Sequence, residues 1–227
     1  MVTTVVFDLD DTLYDEIEYC RSGLSAVAKF LADLPQRPAA ERILNVFWKQ
    51  FTAGNRTKVF DAALNQLGID YDDRFITELV KVYRNHVPGI SLPRDSRDVL
   101  RQLKGKYTLA LLTDGFLPAQ QLKVQALGIE KYFKCIIYTE QLGREFWKPS
   151  PAGFEKIMQT LNERPQNMVY VADNQEKDFI APNKLGFSTI QIIRPARIHK
   201  DSCTEPFAVP LQVIHEISQL PDLLEKL

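Results

Sequence analysis

Short apolar runs recur along this chain, and most are followed by a segment with helical spacing. The runs are residues 3–7, 108–112, 135–138, 168–172 and 189–193. Unbroken β-prone runs of this length suit strands covered on both faces, as in a parallel sheet. Residues 118–127, 151–161 and 178–185 read as helices between the later runs, and Gly128 and Gly186 follow two of them, where C-caps favour glycine. Strand and helix in alternation predict an α/β fold, a doubly wound parallel sheet of the Rossmann-like kind.

One stretch interrupts the alternation. Residues 15–88 hold no convincing strand, only amphipathic segments at 22–34, 39–51, 59–67 and 75–82. These predict a small helical domain inserted after the first strand. Pro88-Gly89 and Pro93 mark the return to the main domain, so the expected division is 1–14 with 89–227 for the core and 15–88 for the insert. At the C-terminal end, residues 211–227 carry Val213, Ile214, Ile217 and Leu220 ahead of Pro221. That spacing reads as a covering helix, with a partner-binding helix as the alternative.

Composition adds exclusions. With 227 residues, 45% apolar and 25% charged, the chain can bury a core without disulfides or a structural metal. A net charge of −1 gives no electrostatic reason to expect a nucleic acid polymer or an anionic membrane as partner. The three cysteines, Cys20, Cys135 and Cys203, are odd in number and widely spaced, which argues against a disulfide framework or a zinc site. The N-terminus lacks the basic start and apolar stretch of a signal peptide, and no run of about 18 apolar residues occurs. A cytosolic, cytoplasmic protein is expected.

Chemistry concentrates at the strand ends. Asp8, Asp10 and Asp11 follow the first strand, Thr113 and Asp114 end the second, Lys148 follows the third, and Asp173 and Asp178 follow the fourth. In an open parallel sheet ligands bind beyond the carboxyl ends of the strands. Any one of these aspartates could serve as an ordinary helix N-cap, but N-capping explains the set poorly. So many carboxylates in one crevice need a cation, and Mg²⁺ suits one or two carboxylates together with phosphate and water.

Asp8-Leu9-Asp10-Asp11-Thr12-Leu13, ending an apolar strand, resembles the D-x-D-x-T signature of the haloacid dehalogenase-like superfamily. Thr113-Asp114-Gly115 resembles its second motif, Lys148-Pro149 its third, and Asp173-Asn174-Gln175-Glu176-Lys177-Asp178 its fourth. The resemblance spans nearly the whole chain, including the helical insert, which resembles a cap domain. Two positions depart from the usual pattern: Ala172, where glycine is frequent, and Asp114, where asparagine is. The resemblance implies a phosphatase in which Asp8 attacks phosphorus to give an aspartyl-phosphate. Asp10 would protonate the leaving oxygen and then activate water. Thr113, Asp114 and Lys148 would bind the phosphate. Asp8, the Asp10 carbonyl and Asp173 would hold Mg²⁺, with Asp178 acting through water.

Dehalogenases of the superfamily lack the second acid, so Asp10 favours phosphate over carbon–halogen chemistry. A phosphomutase keeps both acids and remains an alternative. A non-catalytic binding protein on the same fold would be marked by loss of Asp8, Asp10 or Lys148, and all three are present. The substrate class is a small phosphorylated metabolite: a sugar phosphate, a sugar-acid phosphate such as sialic acid 9-phosphate, or a nucleotide. Within the insert, Gly54-Asn55-Arg56-Thr57-Lys58 is the candidate substrate loop, with Arg56 and Lys58 as its binding residues. The competing reading is a solvated helix start with Thr57 as N-cap.

Overall fold

The apolar runs become parallel strands, and a sixth strand joins them. The computed structural model describes residues 1–200 and 202–227. Its strands are β1 (Thr4–Phe7), β2 (Thr108–Thr113), β3 (Cys135–Tyr138), β4 (Met168–Ala172), β5 (Ser188–Ile192) and β6 (Gln212–Ile214). They pair in parallel in the order β3-β2-β1-β4-β5-β6. The chain runs outward from β1 to β3, returns to the other side of β1 as β4, and then runs outward the other way. That reversal beside β1 is the topological switch point, where such sheets form a crevice.

Every residue of β1 and β4 is buried, as unbroken apolar runs in the middle of a covered sheet require. The helices of this unit are α5 (Arg94–Lys104), α6 (Ala119–Leu127), α7 (Ala152–Leu161), α8 (Ile180–Leu185) and α9 (Leu220–Leu224). Gly128 and Gly186 end α6 and α8 in the left-handed conformation. On one face, Phe154 and Ile157 of α7 pack with Val6, Leu112, Met168 and Tyr170. Phe154 meets the Tyr170 ring edge-on, with centroids 4.8 Å apart. Burial of a side chain such as Phe154 stabilises by roughly 1.5–3 kcal/mol. A Cβ on Gly153 would come within 2.6 Å of Leu112 Cδ1, so glycine is what lets α7 approach β2 this closely.

The C-terminal expectation is corrected. Val213 and Ile214 lie in β6, not in a helix. Residues 212–214 pair with β5 at the sheet edge, with Gln212 and Val213 exposed and only Ile214 buried. Helix α9 begins only at Leu220, with Pro221 in its first turn, where the missing N–H costs nothing. Helix α5, not anticipated, carries buried Val99, Leu100 and Leu103.

Two compact units divide the chain: Met1–Ile17 with Ser91–Leu227, and Glu18–Ile90. The second is helical. It comprises most of α1 (Glu16–Ala32), with α2 (Ala40–Thr52), α3 (Val59–Leu67) and α4 (Asp73–Asn85). Its interior is Leu24, Val27, Leu31, Ile43, Phe47, Ala63, Leu64 and Leu79. Phe47 meets Phe60 edge-on at 5.5 Å, and Tyr19 meets Tyr83 at 5.6 Å. The N-cap position of α3 is Lys58, not Thr57, and no side chain caps it. Cys20 and Cys135 are buried, and all three cysteines are free thiols. Among the described residues, no helix is long and apolar enough to cross a membrane.

Candidate active site

Strand β1 delivers Asp8 to the crevice. The Asp8 N–H donates to the Val171 carbonyl at 2.9 Å, continuing the ladder to β4, so the backbone is fixed where the side chain emerges. Asp8 Oδ1 accepts from Lys148 Nζ at 2.7 Å. The same ammonium reaches Asp178 Oδ1 at 2.7 Å and the Tyr170 hydroxyl at 2.9 Å. Tyr170 is thus a core residue whose polar tip serves the site, aimed by its packing on Phe154. Burial pulls Lys148 down, but Asp178 and Asp8 outweigh it and hold it well above the usual lysine range, so it stays charged.

The loop after β1 turns sharply. Leu13 N–H donates to the Leu9 carbonyl at 3.0 Å, and Asp11 sits at φ 51°. Aspartate tolerates this left-handed conformation better than most residues. The buried Asp11 carboxylate accepts from the Glu16 N–H at 2.8 Å and the Ile198 N–H at 2.6 Å. Asp11 therefore braces the turn that lets Asp8 and Asp10 point to different partners.

Asp10 is gripped from α6. Lys123 Nζ donates to both its oxygens, at 2.8 and 2.9 Å, and Gln120 Nε2 donates at 2.9 Å. The Tyr14 hydroxyl also donates to it. Burial would raise the Asp10 carboxyl, but Lys123 and these hydrogen bonds more than offset it and hold it below the ordinary range. Gln120 also donates to the Thr113 hydroxyl at 2.6 Å, tying β2 to β1 at the crevice.

Asp114 accepts from the Thr139 hydroxyl at 2.8 Å, from the Lys148 backbone N–H at 3.2 Å and from Lys177 Nζ at 3.3 Å. Burial raises it, while Lys148 and Lys177 lower it further than burial can offset. It anchors the loop that carries Lys148.

Asp173 and Asp178 behave differently from each other. Asp178 is fully buried and well partnered, by Lys148 and by the Asn174 N–H at 3.0 Å. Asp173 has a buried Oδ2 with no partner among the described residues. Burial, then Asp178 and Asp8, push the Asp173 carboxyl up to about 10. Burial also pushes Asp8 up to about 7, against the pull of Lys148. Carboxylate oxygens of Asp8, Asp173 and Asp178 lie within 4.8 Å of one another. An orphaned oxygen, three converging hard ligands and carboxyls driven toward protonation are what a divalent cation would relieve. The donor set fits Mg²⁺.

The resulting cavity has a volume of about 110 Å³, far above the ~10–15 Å³ that one water needs. Asp8, Asp10, Asp11, Glu16, Asp114, Gly115, Trp147, Asp173, Asn174, Lys177 and His199 line it. Trp147 packs edge-on against Phe116 at 5.2 Å, and the Arg144 guanidinium lies 4.4 Å from the Phe116 ring centre. Of the residues expected from sequence, Asp8, Asp10, Thr113, Asp114, Lys148, Asp173 and Asp178 come together through the contacts above. Arg56 and Lys58 belong to the helical unit, both exposed, with Arg56 lying over the Phe51 ring at 5.7 Å.

Sequence reasoning missed Gln120, Lys123, Tyr170, Glu16 and Lys177. For Lys123 a signal existed in its spacing: it stands four residues from both Ala119 and Leu127, on the stripe that α6 buries. Buried lysines are rare unless paired. For Tyr170 the only hint was a hydroxyl within an otherwise apolar strand.

A family model described as haloacid dehalogenase-like hydrolase matches residues 2–186. A glyceraldehyde 3-phosphate phosphatase from Methanopyrus kandleri is 29% identical over 202 residues, covering 86% of this chain and 85% of that one. An N-acylneuraminate-9-phosphatase from Mus musculus is 26% identical, covering 100% and 95% respectively. Among solved structures, a 2-haloacid dehalogenase from Pseudomonas syringae pv. Tomato superposes with a TM-score of 0.67 at 24% identity. It covers 100% of this chain and 99% of that one, a likeness that shows the fold.

Proposed function

The chain belongs to the haloacid dehalogenase-like hydrolase family, and on that premise we propose that it is a Mg²⁺-dependent phosphatase of small phosphorylated sugars or sugar acids. It is a phosphoric monoester hydrolase. The observation that carries this reading is Asp8. It emerges at the end of the central strand into the cavity, held at 2.7 Å by Lys148, with a second carboxylate, Asp10, two residues on. The named relatives, both phosphatases of phosphorylated sugar compounds, support the substrate class.

In this reading an Asp8 oxygen forms a bond to phosphorus while the ester P–O bond breaks. The product is an aspartyl-phosphate and a free alcohol. Lys148 keeps Asp8 in place and offsets its charge. Asp10 supplies the proton to the leaving oxygen, then takes one from the water that cleaves the acyl phosphate. As seen here Asp10 is ionised and gripped by Lys123, so it has to exchange that grip for a proton and the leaving oxygen. Asp114, which lines the cavity, is held by Thr139 and the Lys148 backbone, and Thr113 is tied to Asp10 through Gln120. Asp8, Asp173, Asp178 and the Asp10 carbonyl would hold Mg²⁺, which supplies charge neutralisation for the transferring group. The helical unit serves as a cap, with Arg56 and Lys58 as contacts for the leaving group.

Release of inorganic phosphate from a panel of phosphorylated sugars, sugar acids and nucleotides, with Mg²⁺ and with chelator, tests the proposal. A preference for sugar or sugar-acid phosphates that vanishes on chelation is expected. Turnover of nucleotides alone would overturn the substrate class, and no turnover of any member would overturn the activity.

A further inference from the structure

Lysine carries three ammonium hydrogens and no acceptor. Lys148 Nζ donates two of them, to Asp8 at 2.7 Å and to the Tyr170 hydroxyl at 2.9 Å, and it stands 2.7 Å from Asp178 as an ion pair. Its side chain is 1% exposed. Lys148 thus secures the nucleophile and already serves three buried groups. A phosphomonoester nevertheless enters with negative oxygens that need donors in a low-dielectric cleft.

Lys177 lines the same cavity. A turn in which the Lys177 and Asp178 N–H groups both donate to the Asn174 carbonyl, at 3.3 and 3.0 Å, presents it there. Its side chain is 35% exposed. Among the described residues its ammonium has one acceptor within ion-pair distance, Asp114 Oδ2 at 3.3 Å. That is longer than the roughly 2.7–2.9 Å of a strong charge-assisted bond. Asp114 does not depend on it, because Thr139 and the Lys148 backbone also donate to the same carboxylate.

We propose that Lys177 is a substrate-binding residue whose ammonium contacts the phosphoryl oxygens of the bound phosphomonoester, with Asp114 holding it at the cavity wall beforehand. The proposal rests on the phosphatase reading and adds Lys177 to Lys148 among the donors to the phosphate. The alternative is that Lys177 serves only as counter-ion to Asp114.

The test uses wild type, Lys177→Gln, Lys177→Arg, Asp114→Asn and the Asp114→Asn/Lys177→Gln double variant. Thermal melting checks that each is folded. Two quantities are read with Mg²⁺ present: kcat and KM for p-nitrophenyl phosphate, and the inhibition constant of inorganic phosphate. Loss of a charge-assisted hydrogen bond predicts that Lys177→Gln raises KM and the phosphate inhibition constant by about ten- to a hundredfold. The loss should persist when the Asp114→Asn protein is compared with the double variant, and Lys177→Arg should recover most of it. A Lys177→Gln cost that disappears in the Asp114→Asn background would overturn the proposal and leave a counter-ion. So would an unchanged phosphate inhibition constant in Lys177→Gln, with the phosphatase reading intact. A wild type that neither hydrolyses the ester nor binds phosphate would overturn both.

Discussion

At the scale of single residues, the site is under electrostatic tension. Asp8 at about 7 and Asp173 at about 10, both raised chiefly by burial, stand far above the ordinary aspartate value of 3.8. The folded chain therefore binds more protons than the unfolded chain over that range, and its stability falls as pH rises. The window opens near 3.8, closes near 7 for Asp8 and extends to about 10 for Asp173. In chelator, the melting temperature should drop between pH ~5 and ~8, by on the order of several degrees for a chain of this size. Mg²⁺ should raise it more at pH ~8 than at pH ~5, because the cation needs ionised carboxylates. A thermal-shift series with and without chelator reads both effects, and a melting temperature that rises with pH in chelator would contradict the assignment. Asp8→Asn keeps shape but removes the nucleophile. Turnover should fall at least about a thousandfold, as nucleophile removal does elsewhere, with the fold retained. Asp10 makes the opposite case, held low by Lys123. In Lys123→Met, burial is left unopposed by that charge, so the limb of the pH–rate profile that reports Asp10 should move to higher pH.

At the scale of elements, α7 and β4 connect the core to the chemistry. Phe154 of α7 packs on Tyr170 of β4, and Tyr170 reaches Lys148. Tyr170→Phe keeps the packing but strands one buried lysine hydrogen. A stranded buried donor costs about 1–3 kcal/mol, and each kcal/mol corresponds to roughly 2–4 °C at this length. Scanning calorimetry of the variant should show that loss, together with a smaller fall in kcat, because Asp8 and Asp178 still hold the lysine. The strands that carry the site were legible because each is a run of apolar residues ending in chemistry: Val5-Val6-Phe7 before Asp8, Leu111-Leu112 before Thr113, Val171-Ala172 before Asp173. The C-terminal segment was not, because its apolar positions fit helical spacing as well as an edge strand. Only Ile214 of β6 is buried, and three residues cannot establish a period of two. The grip on Asp10 was hidden for a different reason. Asp10 and Lys123 are 113 positions apart, and nothing local to α6 says which carboxylate its buried lysine meets.

At the scale of the whole molecule, the division of labour between the two units carries the remaining prediction. The α/β unit holds the reacting groups, and its cavity of about 110 Å³ accommodates a phosphoryl group with little of what is attached to it. Recognition of the rest of a sugar phosphate must then draw on residues beyond the phosphate site. The helical unit offers Arg56, exposed between α2 and α3, lying over the Phe51 ring of its own unit. A guanidinium carries planar donors whose fork matches a carboxylate. If Arg56 contacts the leaving group, the contact lies outside the phosphoryl-transfer centre and acts on ground state and transition state alike. Arg56→Ala should therefore raise KM for the preferred sugar or sugar-acid phosphate, with a smaller change in kcat. It should leave phenyl phosphate nearly unaffected, since the leaving group of that ester carries no polar substituent for Arg56 to hold. Were a conformational step to limit turnover, kcat and KM would shift together, but the contrast between the two substrates would persist. Equal losses on both would place Arg56 in stability or phosphate binding. No loss on either would make it a solvated surface residue and leave leaving-group recognition to other side chains.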